Sequence, residues 1–222
     1  MSQPIEQQSR QSVTVGVHLL EGLLLVPAEP KGIVIFAHGS DSSRFSSRNT
    51  FVARELSKRG HATLLFDLLT EEEARQRTNV FDIFLLAGRV VEAIDAVRAK
   101  ATTRDLPVGL FGASTGAAAA LVAAAQRPEI VSAVVSRGGR PDLASGELRN
   151  VRAPTMLIVG SRDLAVLELN RLALEEMTCI KGLHVVRGAT HLFEEAGALE
   201  EVLEAAAFWF RVHLGGSDVE RC

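Results

Sequence analysis

Cysteine is scarce in this 222-residue chain. Only Cys179 and Cys222 occur, so no disulfide framework or cysteine-based metal site can be built, and a reducing compartment is the natural expectation. No apolar run is long enough to span a bilayer. The alanine-rich stretch from Ala117 to Ala125 gives way at once to Gln126-Arg127-Pro128. The opening residues, Met1 to Arg10, are polar and lack the apolar core of a signal peptide. A cytoplasmic protein without membrane contact is expected. Basic excess is missing too. Lysine and arginine total 24 against 27 aspartates and glutamates, a net charge of −3, so no overall positive field recruits nucleic acid. Metal-ligand spacing is absent, and no metal or organic cofactor is expected.

What is present is apolar material, 47% of residues, enough for one substantial core. Val13 to His18 alternates and Glu21 to Val26 is apolar, which reads as an N-terminal antiparallel strand pair. Strands then alternate with helices. Continuous apolar runs at Ile33–Ala37, Ala62–Leu68, Val108–Phe111, Val131–Val135, Thr155–Val159 and Leu183–Val186 are the pattern of strands covered on both faces. Helical spacing marks Arg48–Arg59, Phe81–Lys100, Thr115–Gln126, Val166–Thr178 and Leu199–Leu214. The expected fold is a doubly wound, mostly parallel α/β sheet forming one domain over residues 13–214, with flexible segments at 1–12 and 215–222. Glu71-Glu72-Glu73 reads as a solvated loop or a helix start. Between Val135 and Pro154 there is no room for a helical cap domain, so a site on this sheet should be open and favour small substrates.

One stretch carries the chemistry. Val108 to Phe111 runs into Gly112-Ala113-Ser114-Thr115-Gly116 and then into alanines. A Gly-x-Ser-x-Gly turn between a strand and a helix is a nucleophile elbow, which strains the serine and lifts its hydroxyl to a helix N-terminus. Downstream, the run Thr155–Val159 leads to Gly160-Ser161-Arg162-Asp163, and the strand at 183–186 leads to Gly188-Ala189-Thr190-His191. Ser114, Asp163 and His191 in that order form a candidate triad. Alone, Asp163 could cap the helix after it and His191 could be a surface loop histidine. Gly32 to Ala37 ends in His38-Gly39-Ser40, whose loop and Thr115 would supply the Ser40 and Thr115 amides as oxyanion-hole donors. His38 is the rival base and is rejected because its loop precedes the elbow. Arg44 and Arg48 follow this loop, and Arg137 and Arg140 follow the strand after the elbow. All four are candidate contacts for an anionic substrate, Arg137 first. The competing reading pairs them with acids such as Asp41 and Asp142, or leaves them pointing to water.

The elbow at Ser114, the acid turn at Asp163, the His191 loop and the capless element order resemble the dienelactone-hydrolase-like branch of the α/β-hydrolase superfamily. The resemblance runs from about Val13 to Leu214. It implies an α/β-hydrolase fold and a hydrolase acting on a small-molecule ester or lactone. Dienelactone hydrolases proper use a cysteine nucleophile, so Ser114 points toward ordinary ester chemistry. The segments His38–Asn49 and Ser136–Asp142 resemble a bacterial subgroup whose members can be fused to a phosphoribosyltransferase domain. Thioesterase, acyltransferase and perhydrolase chemistry on the same triad stays open, as does a non-catalytic module partnering a phosphoribosyltransferase. A monomer or homodimer is expected.

Overall fold

A computed structural model describes residues 9–144 and 146–215. Eight strands form one sheet in the order β1-β2-β4-β3-β5-β6-β7-β8. These are β1 (Ser9–Val15), β2 (Leu20–Val26), β3 (Gly32–Ala37), β4 (His61–Phe66), β5 (Val108–Ala113), β6 (Val131–Arg137), β7 (Thr155–Gly160) and β8 (Lys181–Val186). β1 pairs antiparallel with β2 and β2 with β4; every later pair is parallel. The fold is the expected capless α/β-hydrolase sheet with an N-terminal antiparallel pair.

Among the described residues, seven α-helices accompany it: α1 (Ser47–Lys58), α2 (Glu71–Ala74), α3 (Arg77–Val80), α4 (Ile83–Ala99), α5 (Thr115–Gln126), α6 (Leu164–Glu176) and α7 (Ala198–Leu214). Side chains of α4, α5 and α6 pack on one face of the sheet. Those of α1 and α7 pack on the other, so the central strands are buried on both faces. Small side chains let α5 lie close to the sheet; every residue from Thr115 to Ala124 is buried. Each large aliphatic or aromatic side chain in these two layers contributes about 1.5–3 kcal/mol when removed from water. The apolar character of α5 is that of a central core helix, and no helix among the described residues is long and apolar enough to cross a membrane.

The sheet order places the site. From β3 the chain leaves through α1 on one face; from β5 it leaves through α5 on the other. Neighbouring strands whose connections diverge open a crevice at their C-terminal ends, where ligands bind in such sheets. The loops carrying Ser40 and Ser114 leave from these two strands.

Some boundaries differ from the sequence reading. β1 starts at Ser9, so residues 9–12 are paired strand and not a flexible lead. Their polar sequence has no alternation to announce it, and pairing comes from β2, with Ser9 opposite Val26. The acidic run at 71–73 is the first turn of α2, closed by a capping box between Thr70 and Glu73. The expected flexibility of residues 1–8 and 216–222 lies outside the described residues, as does Cys222.

Fold stability carries one titration with a clear sign. His61 is buried at the start of β4, its Nδ1 has no hydrogen-bond partner, and burial, helped by the charge of Lys31, pushes its pKa down to about 4. Unfolded, the ring takes a proton near 6.5. Between about 4 and 6.5 the unfolded chain binds the extra proton, so the contribution of neutral His61 is full above that window and is lost as pH falls through it. Thermal melts from pH 7 to 4 should show a falling Tm, and His61→Gln should flatten that fall. An acid limb equally steep in the variant would contradict this.

Candidate active site

Ser114 is the single residue between β5 and α5, and it turns the chain at φ 52° and ψ −123°. A side chain with a Cβ rarely holds such a conformation, which costs about 1–3 kcal/mol. The flanking glycines permit it. A Cβ on Gly112 would lie 2.4 Å from the Ala117 Cα, and one on Gly116 would lie 2.3 Å from the carbonyl oxygens of Ala37 and His38. The second contact shows how tightly the first turn of α5 sits against the end of β3. That approach brings the loop at residues 38–40 beside the serine.

Asp163 stands at the start of α6, but its carboxylate makes no capping bond. Its Oδ2 instead accepts from His191 Nδ1 at 2.7 Å. This bond leaves the Nε2 lone pair of the neutral ring available. Ser114 and His191 line one cavity of about 170 Å³ with Gly39, Ser40, Arg48 and Arg137. Ser114 and His191 share it without a direct hydrogen bond among the described residues; such contacts often close only when substrate is bound. The backbone N–H groups of Ser40 and Thr115 donate to no acceptor among the described residues. Thr115 is the first residue of α5, where orphan amides and the helix dipole favour negative charge.

His38 is no rival base. The Leu68 N–H donates to its Nε2 at 3.1 Å, and its Nδ1 lies 2.9 Å from the Gly39 carbonyl oxygen, so both ring nitrogens are occupied.

The four arginines separate. Arg44 does not line this cavity: its backbone donates to Asp67 at 2.7 Å and its guanidinium pairs with Asp67 and Glu21. Arg140 forms a two-pronged pair with Asp142, at 2.8 and 2.7 Å. The acids that hold these two are neighbours only in the fold for Asp67 and only two residues away for Asp142. Arg48 faces the cavity and reaches Glu194 at 3.3 Å. Arg137 faces it with no carboxylate partner among the described residues. It is 8% exposed, and its Nε and Nη1 are buried without partners. Its guanidinium lies 5.9 Å from the centroid of the Phe193 ring. Burial, with the charge of Arg48 added, pushes its pKa down to about 10, which keeps it protonated at neutral pH.

Phe193 and Glu194 were not singled out from the sequence. Phe193 is buried at φ 56°, an unusual backbone for an aromatic residue, and it forms the wall under Arg137. Only its place after His191 could have pointed to it.

The dienelactone hydrolase family model matches residues 20–212. A dienelactone hydrolase from Anabaena variabilis is 54% identical, with a TM-score of 0.90, and the match covers 94% of this chain and 99% of that one. A Mycobacterium tuberculosis protein, provisionally named a phosphoribosyl transferase, is 57% identical over 204 residues, 92% of this chain and 46% of that protein. The chain thus spans about half the length of the curated relatives it matches. Est1E from Butyrivibrio proteoclasticus has a TM-score of 0.76 at 15% identity, over 91% of this chain and 98% of its own, a likeness of fold alone.

The strain at Ser114 has a measurable consequence. Ser114→Gly should be more stable than Ser114→Ala by about 1 kcal/mol in urea unfolding, because alanine keeps the Cβ at a positive φ while glycine removes it, against a smaller unfolded-state cost. Equal stability, or a less stable glycine variant, would mean that the turn is unstrained.

Proposed function

This chain belongs to the dienelactone hydrolase family, and from that membership we propose that it is a serine esterase acting on short, anionic esters or lactones. The observation that carries the reading is the 2.7 Å bond that His191 Nδ1 donates to Asp163 beside a strained Ser114 in one cavity. His191 Nε2 takes the Ser114 proton as Oγ attacks the ester carbonyl carbon. Asp163 holds the ring in the required tautomer and stabilises the imidazolium. The tetrahedral oxyanion lies between the Ser40 and Thr115 amides, where losing one donor typically costs about 3–4 kcal/mol. The imidazolium then gives its proton to the departing alcohol, leaving an acyl group on Ser114. Water, deprotonated by the same ring, releases the acid. The transferase name of the longer relatives is attributed to the part of those proteins outside the matched residues.

Turnover of a short-chain aryl ester tests the reaction. Ser114→Ala should abolish it, and His191→Ala should lower kcat by at least about a thousandfold. Asp163→Asn should cut kcat heavily as well, by favouring the wrong tautomer. Full activity in any of the three would end this assignment.

Arg137 supports the anionic substrate. An unpaired guanidinium that is nearly fully buried is costly unless something meets it, and here it faces the nucleophile. With hydrogen bonds to a charged group worth about 1.5–3 kcal/mol, a carboxylate-bearing ester should have about a ten- to hundredfold lower KM than a neutral ester of equal size. Arg137→Gln should remove that preference. A preference that survives the substitution would leave Arg137 without a role in recognition.

A further inference from the structure

The mechanism leaves one half-buried polar side chain of the oxyanion loop unused. His38 follows β3 directly, with Leu68 N–H on one ring nitrogen and the Gly39 carbonyl on the other. A backbone N–H can only donate and a carbonyl can only accept. The proton therefore sits on Nδ1, Nε2 is bare, and the ring is neutral. Burial holds its pKa below the ordinary value, against the opposing pull of the Gly39 carbonyl and Asp67.

The Gly39 carbonyl belongs to the same peptide unit as the Ser40 N–H. In a trans peptide these two groups point in opposite directions, and no cis bond occurs among the described residues. Whatever fixes the carbonyl fixes the amide. Gly39 faces the nucleophile: a Cβ there would lie 3.1 Å from the Ser114 Cβ and 3.8 Å from its Oγ. A side chain there would be crowded, and the glycine leaves the plane of the following peptide free to rotate. An external lock is therefore needed. His38 supplies it from a fixed base, since Leu68 lies just beyond β4 and neighbouring Asp67 ties down Arg44 further along the same loop.

We infer that His38 is a positioning residue whose Nδ1–H bond to the Gly39 carbonyl aims the Ser40 N–H at the oxyanion. This rests on the reading of Ser40 as an oxyanion donor. It separates two roles of one ring, because the Nδ1 bond aims the amide while the Nε2 bond only anchors the imidazole.

Two substitutions divide these roles. In His38→Asn the side-chain amide places an N–H near the position of Nδ1 and keeps the bond to Gly39. In His38→Gln the longer side chain reaches the Leu68 N–H with its carbonyl and gives up Gly39. On a short-chain ester, His38→Gln should lower kcat about 30- to 300-fold with KM within about threefold, in the range seen when one oxyanion donor is lost. His38→Asn should retain kcat within about tenfold of the parent. Crystal structures of the two variants give a readout free of activity: the 39–40 peptide should be rotated in His38→Gln and unchanged in His38→Asn. An unmoved peptide in His38→Gln, or equal kcat losses in the two variants, would overturn the inference. If the parent protein hydrolyses no ester, the esterase reading fails instead, and the peptide orientation still decides the role of His38.

Discussion

Between the last residue of β5 and the first of α5 the backbone has one residue in which to turn, and Ser114 makes that turn at a positive φ. Everything else at the C-terminal edge of the sheet is arranged around it. The turn requires Gly112 and Gly116, and the missing side chain of Gly116 lets α5 press against the end of β3. That contact brings the loop at 38–40 to the nucleophile. It also leaves the Thr115 amide at a helix N-terminus, where negative charge is favoured. A few kcal/mol of local strain are offset by an apolar layer on each face of the sheet.

Charge is handled in two ways around the cavity. Arg44 and Arg140 are satisfied by carboxylates, and their pairs act as braces for the loops that carry them. Arg137 is built differently, walled in by Phe193 and repelled by Arg48, with no acid among the described residues to neutralise it. A surface arginine would find water. A buried one beside Ser114 is left without a counter-charge, which is the physical basis for proposing an anionic substrate.

Much of this was legible in the sequence. Runs such as 33–37 and 155–159 announced buried parallel strands, because strands covered on both faces are apolar at nearly every position. Ser114, Asp163 and His191 stood out because each follows a strand. What was not legible depends on partners distant in sequence. Arg44 and Arg137 look alike as residues, and only the fold shows that Asp67 meets one while no carboxylate among the described residues meets the other. The start of β1 was hidden because Ser9 to Ser12 are polar and take their pairing from β2. The tautomer of His38 was hidden because it is set by Leu68, thirty residues away.

The central claim is that Ser114 attacks while the Ser40 and Thr115 amides hold the resulting oxyanion. A crystal structure of the protein after reaction with an aryl alkylphosphonate tests both halves at once. The expected result is a single phosphonyl group on Ser114 Oγ, with its phosphoryl oxygen about 2.7–3.1 Å from both amide nitrogens. A phosphonyl group on another residue, or a phosphoryl oxygen turned away from both amides, would contradict it.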